Sequence, residues 1–147
     1  MAVLYVLLAL AAGAMLPFQA GMNARLAHFV ESPIRASLVS FVVGTVVLLV
    51  LSIAIFKPLP SGSKLAGAPW WVWVGGVLGA FYVVVTVVSA PRVGAATLIA
   101  ALIAGQMVAS LVVDHFGWVG FPVHHVSAGR VVGLVLLFAG VLLVRLF

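Results

Sequence analysis

Residues 33–56 read PIRASLVSFVVGTVVLLVLSIAIF, with Arg35 as the only charge. A bilayer core about 30 Å thick needs about 20 apolar residues in one helix. The stretch is therefore read as a membrane span, with Arg35 close enough to its start for the guanidinium to reach the headgroups. Working outward, the pattern repeats. Ala2–Gly21 carries no charge, Trp70–Ala90 lies between Pro69 and Pro91, and Gly94–Val113 and Ala128–Phe147 complete the set. Five spans of about 20 residues use about 100 residues, so the expectation is an all-α integral membrane protein with five transmembrane helices. The chain reads as a single membrane domain, 1–147, with no room for a soluble one.

Composition says the same in another way. The 147 residues are 66% hydrophobic and 6% charged, whereas soluble domains average about 25% charged residues. A soluble enzyme, a nucleic-acid-binding domain and a disordered tail are excluded as defaults. The net charge of +5 reflects a shortage of acids, because Glu31 and Asp114 are the only carboxylates. The cations Arg25, Arg35, Lys57, Lys64, Arg92, Arg130 and Arg145 are scattered and form no run that tracks a phosphate backbone. The chain contains no cysteine, so thiol chemistry and Cys-ligated metal sites are absent. No hydrolase, P-loop or zinc-protease pattern occurs. The expectation is no enzyme and no cofactor.

Loop punctuation supports the limits. Ser32-Pro33 reads as a cap followed by proline in the first helical turn, and Ser127 is placed to cap the last helix. Pro58, Pro60 and Gly62 mark the second loop, and Gly117, Gly120 and Pro122 mark the longest connection. With five spans, Lys57, Lys64 and Arg130 fall on one side of the membrane and Arg25, Arg35, Arg92 and Arg145 on the other. Such a balance gives the positive-inside rule little to act on. It leaves two orientations open: one set by the first helix, or dual topology, in which copies insert both ways and pair antiparallel.

Polar and small residues form stripes. In the first helix, Gln19 and Asn23 share a face beyond Pro17, whose missing N–H leaves the Gly13 carbonyl without its usual donor. In the third helix, Gly75, Gly79, Tyr82, Thr86 and Ser89 share one face; they form either a close helix contact or a cavity wall. Ser37, Ser40 and Gly44 make a weaker stripe in the second helix, and Gly129, Gly133 and Gly140 read as packing in the fifth. Gln106 lies near the middle of the fourth span, with Ser110 and Asp114 near the same face. An amide at that depth needs a protein, water or ligand partner. Asp114 sits toward a helix C-terminus, where the helix dipole disfavours an anion. It is expected to pair with a cation such as Arg130 or to titrate in coupling. His115, His124 and His125 follow nearby, but with Asp114 they match no zinc spacing, so no metal is expected. His28 and Glu31 read as solvated surface.

Gln19 and Asn23, Gly75-Gly76 with Gly79, Pro91-Arg92-Val93-Gly94, Gly105-Gln106, Asp114-His115-Phe116-Gly117, and Arg130 with Gly133 together resemble the YdcZ-like family of the drug/metabolite transporter superfamily. The resemblance covers nearly the whole chain. It implies a five-helix half-transporter of the bacterial inner membrane, completed by an inverted second copy or a paralogue, with solute bound near the midplane. The small multidrug-resistance branch is similar to a four-span protein with a glutamate in its first helix; here that helix carries amides.

The expected function is a secondary transporter, or transporter half, for a small metabolite. It would work by alternating access as an antiparallel homodimer or a heterodimer with a paralogue. The candidate solute-binding residues are Gln19, Asn23, Tyr82, Thr86 and Gln106. The rival reading is a non-transporting membrane subunit whose stripes only pack within a larger complex.

Overall fold

The computed structural model describes residues 2–55 and 61–147, without the side chains of Ala2 and Lys64. The expected end of the second span at Phe56, and the loop residues Lys57, Pro58 and Pro60, lie outside the described residues. The elements are α1 (Ala2–Phe29), α2 (Pro33–Ile55), a short α3 (Gly62–Ala66), α4 (Val74–Val93), α5 (Ala95–Phe116) and α6 (Ala128–Leu146). A 3-10 turn, Trp70–Trp73, leads into α4, and a second, Trp118–Gly120, follows α5. Counting that first turn with α4, five helical stretches are long and apolar enough to cross a membrane.

Contacts group the chain into two compact units, Met1–Arg92 and Val93–Phe147. In the first unit α1 packs on α2. The link is the turn Val30–Ser32. There Val30 N–H donates to the Leu26 carbonyl and Ser32 N–H to the Ala27 carbonyl, while Glu31 adopts a left-handed φ of 54°. This is the Schellman closure of a helix, with Glu31 at the position glycine usually takes. Ala36 and Ser37, at the start of α2, are buried, and the Ser37 hydroxyl donates to the Pro33 carbonyl at 2.8 Å. A Cβ on Gly79 of α4 would lie 3.7 Å from the Phe41 ring of α2, an ordinary contact distance.

The helices outrun the limits read from hydropathy. Helix α1 continues through Pro17 to Phe29, past the Gly21 boundary. A proline removes one backbone donor, whereas ending the helix at membrane depth would strand several groups. Helix α4 likewise passes Pro91 to Val93. The Arg92 guanidinium donates to the Val88 carbonyl, supplying a donor in the last turn. The break falls at Gly94, whose φ of 79° suits glycine.

In the second unit α5 packs on α6. Helix α5 runs to Phe116, three residues beyond Val113, and stops at Gly117 with φ 66°. The Gly117 N–H donates to the Val113 carbonyl, which is the single-bond left-handed cap. A Cβ on Gly117 would sit 2.7 Å from Val123 Cγ2, so only glycine fits. Ser127 caps α6, accepting from the Arg130 backbone N–H at 3.4 Å.

None of the five spans buries more than 17% of its most apolar window within the chain. In water such exposure would be untenable; in a bilayer, lipid covers it.

Candidate functional site

The first unit places Gln19 on an open groove of about 220 Å3, with Ser40, Gly44 and Thr45 of α2 and Val83 of α4 on its walls. Gln19 itself is exposed. Asn23 and Thr86 are buried, at 6% and 5% exposure, and Tyr82 is half-buried. None of these three lines the Gln19 groove. The Thr86 hydroxyl donates to the Val83 carbonyl one turn back, at 2.8 Å, so its proton is already engaged. Thr45 was missed at the sequence level. It follows Gly44 directly, and the alternation of Val with small residues in α2 hides it.

The second unit places Gln106 exposed on α5, on a groove of about 280 Å3 that continues along Ser110 to Asp114 and is closed by Val119 and Phe121. Four-residue spacing puts the three polar side chains one turn apart. They form a ladder from the middle of the span to its end. A larger groove of about 480 Å3 shares Ser110 and Asp114 and adds Arg130 and Gly133, with Ile103, Met107 and Leu137 as apolar walls.

The end of that ladder is ordered by the loop. Arg130 Nη1 donates to Asp114 Oδ2 at 3.2 Å and to the His124 carbonyl at 3.3 Å. His124 N–H in turn donates to the Asp114 carbonyl at 2.8 Å, satisfying one of the free carbonyls at the end of α5. Val126 N–H donates to His115 Nδ1 at 3.2 Å, which fixes that nitrogen as an acceptor. The cation answers the unfavourable position of Asp114 near a helix C-terminus. Both members of the pair are about one-third exposed, so the contact positions the loop more than it stabilises the fold. Val119 pays for its place in the wall, holding φ at 52°, where a β-branched residue is strained. His115 and His125 stack edge to face at 5.3 Å. No set of three His, Asp or Glu side chains gathers as metal ligands among the described residues.

The glycines read as packing residues divide. Gly79 meets Phe41, whereas Gly75, Gly129, Gly133 and Gly140 have no atom within 4 Å of a notional Cβ. Among the described residues nothing lies close enough to these four to need their smallness.

Residues 4–143 match the family model described as "Putative inner membrane exporter, YdcZ". The inner membrane protein YdcZ of Escherichia coli (strain K12) is 34% identical over 137 residues, covering 92% of this chain and 90% of that protein. No solved structure matches. Five apolar helices, a polar ladder on α5 and a match along nearly the whole chain lead to one statement: the chain belongs to the YdcZ family of inner-membrane transport proteins.

Proposed function

We propose that this chain is half of a secondary transporter, which moves a small metabolite across the inner membrane by alternating access after pairing with an inverted second copy or a paralogue. One observation carries the reading. Gln106 is near mid-span yet exposed on the chain, and Ser110 and Asp114 continue its groove toward the helix end. An amide left in hydrocarbon without partners is strongly disfavoured, and polar groups at membrane depth belong against protein or water-filled cavities. An inverted mate would cover the grooves with protein while leaving a wet crevice for solute. Rocking of one copy against the other would then expose that crevice to each side in turn.

Gln106 and Gln19, both exposed on grooves, are the primary solute contacts in this reading. Asn23, Tyr82 and Thr86 are the further polar candidates of the first unit, and Asp114, paired with Arg130, ends the Gln106 groove in the second. With no carboxylate near mid-span, the site suits a neutral or anionic solute better than a cation.

The decisive variant is Gln106→Leu in proteoliposomes. Solute-stimulated flux should fall at least tenfold with dimer assembly unchanged, whereas unchanged flux removes Gln106 from the path. A reporter at the C-terminus tests the inverted mate: signal from both sides of the membrane is expected, and signal from one side alone leaves a paralogue as the mate. Copurification only with a different, obligate partner, together with a dry interface, would favour the non-transporting subunit.

A further inference from the structure

A second cavity of the first unit, larger than the Gln19 groove, is lined by other residues. Its volume is about 480 Å3, and its walls come from the last turn of α1, the α1–α2 turn and the last turns of α4. Opposite charges face it, Glu31 from the turn and Arg92 from the end of α4, with the His28 imidazole beside them. Below them the walls are apolar, with Ala24, Val87 and Val88. At 28 residues, α1 is about 42 Å long, longer than a hydrocarbon core of about 30 Å. Its last turns, and this cavity with them, therefore reach the depth of the lipid headgroups.

Glu31 is the informative residue. It is one of only two carboxylates in the chain, and among the described residues it makes no ion pair. Its φ of 54° places it at the left-handed closing position of α1, where glycine is the residue that folds without strain. A strained residue of this kind at a cavity wall motivates a functional reading. The carboxylate is held there despite the backbone and not because of it.

We infer that this cavity binds the headgroup of a phospholipid carrying a primary ammonium, of the phosphoethanolamine type. Arg92, aided by His28, holds the phosphate oxygens, and the guanidinium fork matches that anion. Glu31 accepts hydrogen bonds from the ammonium, which lies two carbons from the phosphate. The start of an acyl chain rests on Val87 and Val88. An anionic headgroup such as phosphatidylglycerol would bring hydroxyl donors to Glu31 but no cation, and a quaternary ammonium would bring charge without N–H donors. The inference does not depend on the transport reading.

The test is native mass spectrometry of the full chain in mild detergent, with phosphatidylethanolamine, phosphatidylglycerol and phosphatidylcholine of matched chains. Phosphatidylethanolamine should be retained about three- to fivefold over the other two, as an ion pair at an exposed site allows. Glu31→Gln should bring the three lipids level, and Arg92→Gln should lower retention of all of them. Glu31→Gly separates charge from folding: it should also level the lipids, while thermal stability without lipid holds or rises. Arg145→Gln, far along the sequence, should change nothing. Equal retention of the three lipids by the unmodified chain, or a preference that survives both Glu31 variants, overturns the inference. Displacement of the lipid by free phosphoethanolamine alone would also overturn it, because the ligand would then be a soluble zwitterion.

Discussion

The first unit buries several of its polar side chains, and the second buries none of its own. In Met1–Arg92, Asn23, Ser37 and Thr86 are buried, and two of them spend their hydroxyl protons on carbonyls of their own helix. In Val93–Phe147 no polar side chain is buried, and Gln106 and Ser110 stand exposed on grooves. The difference teaches what each unit requires. In the first unit Ser37 and Thr86 are buried and satisfied by their own helices. In the second, Asp114 at the end of the α5 ladder meets Arg130, whereas Gln106 and Ser110 stay exposed. The loop ending that ladder is correspondingly over-determined, with Gly117, His124, Val126 and Arg130 all tied to α5.

That contrast can be broken at the loop first. Gly117→Val combines a left-handed backbone with a Cβ 2.7 Å from Val123, and should cost about 2–4 kcal/mol. Thermal or denaturant unfolding in detergent would measure it; a loss under about 1 kcal/mol would mean the loop is less tightly determined than its hydrogen bonds imply. Arg130→Gln should have a smaller effect, about 0.5–1 kcal/mol for a partly exposed pair. Faster exchange of the His124 amide, read by hydrogen–deuterium exchange, should accompany it. An unchanged amide would show that the Arg130 contacts do not hold the loop.

The smallest effects sharpen the comparison between units. Gly79→Ala places a methyl at ordinary contact distance from Phe41, so helix propensity should win, by about 0.5 kcal/mol. Gly133→Ala meets nothing among the described residues and should gain a similar amount in its own unit. If Gly133 packs against a mate, however, the dimer fraction on dilution in detergent should fall several-fold for Gly133→Ala and stay constant for Gly79→Ala. Equal dimer fractions would place the mate elsewhere.

Much of the site was legible in part. Gln106, Ser110 and Asp114 were readable as a ladder, since spacing alone sets their common face, and Arg130 was a natural counter-charge for Asp114. Thr45 escaped because a single hydroxyl among valines has no periodic signature. Glu31 read as plain surface, because nothing in Val-Glu-Ser-Pro reveals a left-handed φ. The helix ends at Phe29 and Val93 were also hidden, since hydropathy measures the hydrocarbon layer and hydrogen bonding decides where a helix stops.

What the amino-acid order determined by itself is solvent and element type. Sixty-six per cent apolar residues in five runs, with charges confined near their ends, admit only membrane-spanning helices. Those are local properties, readable one helix at a time. Which polar groups are buried or open, which glycines meet a neighbour, and which carboxylate finds a cation were decided only by packing. Those outcomes depend on residues far apart in the chain, such as Gly79 with Phe41 and Asp114 with Arg130, and no local pattern encodes the distance between them.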